Sequence, residues 1–395
     1  MQDLLFLAHR IPYPPNKGDK IRSYHFLKHL SEHFNVHLGT FIDDPNDNQY
    51  TQVLDKICKT TFYQNINPLF SKVKSLQGLL TGEPLSLPYY NNTAMQEWVT
   101  ATIKANSINK VLVFSSVMAK FVQYHDIDMI VDFVDVDSDK WRQYSASKKF
   151  LSAWIYQREF YYLLRYEKFI AQRSKVSFFV SEQESNLFKS LAPESATKIT
   201  HVNNGVNTDY FSPELAYTSP YPECIDAIVF TGAMDYWANV DAVKWFAEHV
   251  FPEISSKFPA LKFYIVGSKP TKEVLALANS SVVVSGAVED VRPYLAHAKL
   301  AVAPLRIARG IQNKVLEAMA MGKPIFATSA AMEGISYTET LSVFVADDPN
   351  KMAYLLTDFL QHETSVCISN NNRQFVTELF SWEQNCNRLI KLIKN

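Results

Sequence analysis

Short runs rich in β-branched and aromatic residues alternate along this chain with longer amphipathic stretches, and they do so in two successive series. The first series is 3–8, 36–41, 110–114, 129–133, 176–180 and 199–202; the second is 227–230, 261–266, 282–285, 299–303, 325–327 and 343–345. Near-continuous apolar runs separated by helical stretches are what parallel strands need when crossover helices cover both faces of the sheet. The expected class is therefore α/β, with two doubly wound domains. Residues 203–223, rich in Asn, Gly and Pro, suit an interdomain linker. The tail 372–395 reads as helical, with Ser381 available as a cap before Trp382 and an apolar face of Leu389, Ile390 and Ile393.

Composition supports this and excludes alternatives. With 395 residues, 47% of them hydrophobic and 20% charged, there is material for two cores of ordinary size. The 39 basic and 40 acidic residues nearly cancel, so no bulk positive field exists to collect nucleic acid. Cys58, Cys224, Cys367 and Cys386 lack metal-ligand spacing, which points to a reduced compartment and to neither a zinc site nor a disulfide scaffold. The opening apolar stretch ending at His9 is short and wrongly flanked for a signal peptide, and no run is long enough to span a bilayer. A cytoplasmic protein is expected. The stretch 148–173 mixes Leu151, Ile155, Tyr162, Tyr166 and Ile170 at helical spacing with Lys148, Lys149, Arg158 and Arg165. A core-facing helix is its main reading, and peripheral contact with a membrane or lipid-linked acceptor is the other.

The densest chemistry lies after the run 299–303. There Pro304, Leu305, Arg306, Ile307, Ala308, Arg309 and Gly310 lead into helix formers from Asn313 to Met321, closed by Gly322 and Pro324. A loop feeding a helix at the carboxyl end of a parallel strand is where open α/β sheets bind ligands. Backbone amides of Gly310, Ile311, Gln312 and Asn313 can receive a diphosphate with help from the helix dipole, while Arg306, Arg309 and Lys314 add charge. Glu317, one turn on from Asn313, can accept two hydrogen bonds from a ribose diol. The competing reading is a solvated surface loop with Glu317 serving helix propensity.

This stretch resembles the donor-site motif of retaining glycosyltransferases of the GT-B fold (glycosyl transferases group 1, family four) through Gly310, Glu317, Ala318, Met319, Ala320, Gly322, Lys323 and Pro324. Further matches run nearly the full length: Ser285, Gly286, Val288, Asp290, Val291, Tyr294 and Leu295; Asn204, Gly205, Val206, Asn207, Phe211 and Pro213; and Phe230, Thr231, Gly232, Met234, Asp235, Tyr236 and Asn239. The run Arg-Gly-Ile-Gln-Asn-Lys is most similar to a bacterial subfamily associated with exopolysaccharide and exosortase (PEP-CTERM) systems. The resemblance implies two facing Rossmann-like domains with a cleft: an acceptor domain 1–205, a donor domain 206–371, and a helix 372–395 crossing back to the first. It implies that the backbone near Val288 and Val291 lines the nucleobase. It also implies that Glu317 meets the ribose. Two departures stand out. Arg309 occupies the place of a sugar-contacting glutamate, and 232–241 lacks the usual Arg and Lys for the diphosphate, which leaves Arg306, Arg309 and Lys314 to carry that charge.

On the acceptor side, the first strand runs through His9 and Arg10 to Asn16, Lys17, Gly18 and Asp19. In the resembled class such a loop faces the donor phosphates and the acceptor, with Gly18 allowing close backbone approach; a proline-stiffened connector is the alternative. Asp132 and then Asp135, Asp137 and Asp139, the last three at alternate positions, form an acidic run. Asp135 and Asp137 are candidates for a general base; solvated carboxylates or helix caps compete, and a metal site is a third reading. Trp141, Tyr89 and Tyr90 are candidate sugar-stacking aromatics. The expected activity is a metal-independent, hexosyltransferase-type reaction with a nucleotide-diphosphate sugar as co-substrate and no cofactor. The acceptor is a glycan or lipid-linked. A nucleotide-sugar epimerase of the same fold and a non-catalytic nucleotide-sugar-binding subunit are the alternatives.

Overall fold

The computed structural model describes residues 1–395 apart from Asn16, Lys148, Lys149, Arg309 and residues 363–366. The chain forms two compact units: 1–203 together with 385–395, and 204–384. The first holds a seven-stranded sheet in the order β3-β2-β1-β4-β5-β6-β7, the second a six-stranded sheet in the order β10-β9-β8-β11-β12-β13. All pairings between these strands are parallel.

In the first unit the strands are β1 Gln2–Ala8, β2 Phe34–Ile42, β3 Thr60–Asn65, β4 Lys110–Phe114, β5 Asp128–Val134, β6 Val176–Phe179 and β7 Ile199–His201. In the second they are β8 Asp226–Thr231, β9 Leu261–Val266, β10 Val282–Gly286, β11 Leu300–Ala303, β12 Ile325–Ala327 and β13 Val343–Val345. Every apolar run expected from sequence forms a strand. The sequence did not announce β3, whose residues Thr60, Thr61, Phe62, Tyr63, Gln64 and Asn65 are exposed or half-buried at the sheet edge. An edge strand needs only one partner and little apolar content.

The helices that matter below are α1 Gly18–Ser31, α2 Pro68–Ser75, α3 Gly78–Thr81, α4 Asp137–Ser147, α5 Phe150–Arg173, α6 Trp237–Trp245, α7 Asn313–Ala320 and α8 Trp382–Lys394. Within the first unit, α1 is tied to the sheet by Arg22. Its Nε donates to Asp132 Oδ2 at 2.7 Å and its Nη2 to the Val202 carbonyl at 2.8 Å, with Phe26 and Phe178 against the guanidinium. Arg22 and Asp132 are both fully buried, so each depends on the other for its charge to be tolerated. The end of α8 belongs to this unit: Lys110 donates to the Lys394 carbonyl at 3.1 Å.

In the second unit the linker is pinned rather than loose. The Val206 amide donates to the Phe380 carbonyl at 2.8 Å, and Arg373 donates to the carbonyls of Thr208, Phe211 and Ala320. The Gln384 amide donates to Ser381 Oγ at 3.4 Å, so Ser381 faces the first turn of α8 as a cap would.

Candidate functional site

In the second sheet β8 lies between β9 and β11, so the order of strands reverses there. The crevice beyond the carboxyl ends at such a reversal is the general ligand position of open parallel sheets. Here it is framed by Gly232, just past β8, and by the loop from Pro304 into α7.

Lys314, in the first turn of α7, reaches into this place. Its Nζ lies 2.5 Å from Asn239 Oδ1 and 4.1 Å above the centre of the Phe230 ring. Asn239 is oriented by its own Nδ2, which donates to the Ala233 carbonyl at 2.8 Å. Two glycines let the strand ends close around the ammonium. A β-carbon on Gly232 would come within 3.0 Å of Lys314 Nζ, and one on Gly267 within 1.6 Å of the Gly232 carbonyl oxygen. Desolvation pulls the Lys314 amine down to about 7, only partly offset by the Glu317 carboxylate. Desolvation likewise pushes Glu317 up to about 7 against the pull of Lys314. A cation packed on a ring and answered by one neutral amide oxygen is poorly compensated, and an anion beside it would restore the balance.

The loop supplies donors of its own. The first amides of a helix have no intrahelical acceptor and sit at the positive end of its dipole, and α7 opens on this crevice with Gln312 as its cap position. Gly310 adopts a φ of 65°, in the left-handed region that glycine tolerates. Its amide donates to Glu333 Oε2 at 3.1 Å, so this one of the four expected phosphate donors holds a carboxylate instead. Gln312 Nε2 donates to the Gly310 carbonyl at 2.9 Å. The Ile311 side chain packs in the core, which leaves only its backbone to face a ligand. Asn313 Oδ1 is buried and accepts no hydrogen bond from any described residue. Arg309 lies outside the described residues.

Arg306 is engaged elsewhere. It forms a bidentate ion pair with Asp241 of α6, on a groove of about 560 Å³ lined also by Trp237, Lys244 and Glu273. Val288 and Val291 pack against the core of the second unit, so the backbone between them is what a ligand would meet. Beside them Arg292 pairs with Asp290 and lies 3.7 Å over the Tyr210 ring.

In the first unit the strand order reverses at β1 and β4. Just past β1, His9 stacks on Phe114 at 5.9 Å and its Nε2 is 3.5 Å from Asp19 Oδ2. Arg10 bridges Asp19 at 2.6 Å and Asp43 at 2.8 Å. Burial opposes ionisation of Asp19, but His9 and Arg10 hold its carboxyl well below the usual range. Lys17 and Gly18 are exposed at the start of α1, with open space around Gly18; Asn16 lies outside the described residues. Asp135 and Asp137 both bind Lys140, at 2.8 and 2.9 Å, so their charge is already answered. The segment is fixed from behind by Glu184, which accepts from the Val136 amide, and by Glu167, which accepts from Ser138. Trp141 packs on Tyr156 and Tyr144 of its own neighbourhood. Among the described residues no cluster of three His, Cys, Asp or Glu could hold a metal ion.

His9 and Glu333 received no role from sequence. A polar residue directly after the first strand was a usable signal for His9; Glu333 touches Gly310 across 23 residues, and nothing local announces that.

Residues 226–362 match the family of glycosyl transferases group 1. A search of curated protein sequences gave no match. Among solved structures, sucrose-phosphate synthase from Thermosynechococcus elongatus is similar over 100% of this chain and 98% of its own, at 16% identity and a TM-score of 0.70. Anabaena Alr3699/HepE in complex with UDP-glucose is similar over 100% of both chains, at 14% identity and a TM-score of 0.66. WaaG, a glycosyltransferase involved in lipopolysaccharide biosynthesis, is similar over 97% and 98%, at 15% identity and a TM-score of 0.66. The match to glycosyl transferases group 1 thus falls within the second unit, and the chain has the two parallel-sheet α/β units of the GT-B fold.

Proposed function

We propose that this protein is a cytoplasmic glycosyltransferase that moves a hexose from a nucleotide-diphosphate sugar to a glycan or lipid-linked acceptor, with retention at the anomeric carbon, in bacterial exopolysaccharide or cell-surface polysaccharide synthesis. The observation that carries the reading is the undercompensated Lys314 ammonium at the strand-order reversal, beside the first turn of α7. In this reading Lys314 and the α7 amides take the diphosphate, and Glu317 takes the ribose. As the bond from sugar to phosphate breaks, negative charge builds on the leaving oxygen, and a fixed cation there lowers the barrier without a metal ion. That same oxygen accepts the acceptor's proton on the face the sugar leaves, so Asp135 and Asp137 need not act as bases. The bound UDP-glucose of the HepE structure supports starting with uridine diphosphate sugars.

The test is a panel of nucleotide sugars incubated with the protein and a lipid extract, read by chromatography and mass spectrometry. Free nucleotide with a glycosylated product supports transfer. Epimerised donor would replace the reading with an epimerase, and binding without turnover with a nucleotide-sugar-binding subunit. If no nucleotide sugar raises the melting temperature, the donor site itself is wrong.

A pH dependence follows. Lys314 is lowered to about 7, so above that pH the free protein must gain a proton to meet the diphosphate, and donor affinity falls by up to about tenfold per pH unit. Glu317 is raised to about 7, so below that pH the ribose loses its carboxylate and affinity falls again. Calorimetric titration should show a maximum near neutrality. Glu317→Gln should remove the acid limb and shift the alkaline limb to lower pH, because the carboxylate is what partly sustains the Lys314 charge; an unchanged profile would count against both roles.

A further inference from the structure

A cluster of exposed apolar side chains lies far along the chain from Lys314 and Glu317, on α2 and α3 of the first unit. Leu80 is 91% exposed, Leu69 75% and Phe70 70%, and Val73, Leu76 and Leu79 are exposed with them. Contiguous apolar surface of this kind is uncommon on a protein that meets only water. It borders a groove of about 640 Å³ lined by Phe70, Val73, Lys74, Leu76, Gln77 and Leu80.

This surface is joined to α5. Arg158 donates to the carbonyls of Gly78 and Glu83, its guanidinium lies 4.4 Å over the Tyr162 ring, and the Leu85 amide donates to Glu159 at 2.9 Å. Along α5, Trp154, Arg158, Tyr161, Arg165 and Lys168 recur at spacings of three and four residues, which puts them on one face. Trp154, Tyr161 and Arg165 are exposed. The two carboxylates of α5, Glu159 and Glu167, are both buried, so the outer stripe of the helix itself carries basic charge, and the exposed Glu194 is the one carboxylate in the groove that Arg165 and Lys168 line. Between residues 66 and 90 the basic residues are Lys72 and Lys74 and the acidic one is Glu83.

We propose that α2, α3 and the outer stripe of α5 form a docking surface for an anionic lipid bilayer. Leucine and phenylalanine side chains at this exposure enter the acyl boundary, Trp and Tyr settle at the headgroup level, and Lys and Arg reach the lipid phosphates. Charge selects the occupant: an aromatic and cationic face with its carboxylates turned inward suits a negatively charged lipid surface better than a second copy of itself, which would bring like charge against like charge. No described helix is long and apolar enough to cross a membrane, so the contact is one that lies on the surface. It is independent of the donor-site reading, since binding to vesicles needs no sugar transfer.

The experiment is flotation of the full chain with vesicles of phosphatidylcholine alone or mixed with phosphatidylglycerol, at low and high salt. Binding is expected to the mixed vesicles, weaker at high salt. Leu69→Ser with Leu80→Ser should weaken it at least about tenfold through lost apolar transfer. Arg165→Gln with Lys168→Gln should weaken it about fivefold per charge and flatten the salt dependence. Leu69, Leu80 and Arg165 are exposed and Lys168 is half-buried, so circular dichroism and melting temperature should hold, which separates a lost surface from a lost fold. The proposal is overturned if neither vesicle binds, or if the variants bind as the parent does. It is also overturned if sedimentation shows self-association that the leucine variants abolish.

Discussion

Lys314→Met is expected to lower kcat/KM about a hundredfold to a thousandfold, the range seen when one preorganised donor to a developing anion is removed. The substitution keeps the unbranched apolar stem and replaces the ammonium that lies over the Phe230 ring by an uncharged thioether end, so the crevice keeps its shape. In the unliganded protein that end is expensive: it is desolvated and answered by the Asn239 oxygen at 2.5 Å. Its removal should therefore leave thermal stability unchanged or slightly raised while activity collapses. Few structural residues behave in this way, and the opposed pair of outcomes is the diagnostic. Calorimetry with the nucleoside diphosphate alone should show the same loss in affinity. Should Lys314→Met bind donor as tightly as the parent, the diphosphate lies elsewhere and the reading of α7 is wrong.

The second large effect concerns the fold. Asp132→Ala should cost about 3–5 kcal/mol, because it strands the Arg22 guanidinium in the interior of the first unit. Arg22 joins α1 to β5 and to Val202 just past β7, so the loss of its counter-charge is felt at each of these places. Urea denaturation should show a markedly lower midpoint. Asp135→Asn, three residues on, should stay within about 1 kcal/mol of the parent, since its partner Lys140 is partly exposed and keeps Asp137. Equal costs at the two positions would contradict the burial difference on which the contrast rests.

The same four aspartates show how far sequence reaches. Within eight residues Asp132, Asp135, Asp137 and Asp139 look equivalent, yet one neutralises a buried arginine, two share Lys140, and one pairs with Arg142. What divides them is partners as many as 110 residues away, and no local pattern encodes those. The sheets were legible because buried parallel strands must be apolar along their whole length; β3 was missed because a one-sided edge strand need not be. After β11 the loop and the helix were legible, and Lys314 does sit beside Asn239 at the strand-order reversal. Arg306 looked equally suited, but Asp241 claims it from α6, 65 residues back. Spacing told where cations lie along the chain. It could not tell which of them the fold had already satisfied.

The placement of residues 385–395 within the first unit bears on how the polypeptide becomes that unit during synthesis. The ribosome delivers all seven strands of the first sheet before any strand of the second, yet Lys110, Thr200 and the His25 carbonyl await partners on α8. A nascent first unit therefore waits, incomplete along the surface α8 will cover, while 181 further residues are made. The order of manufacture and the order of completion are inverted: the part begun first is finished last.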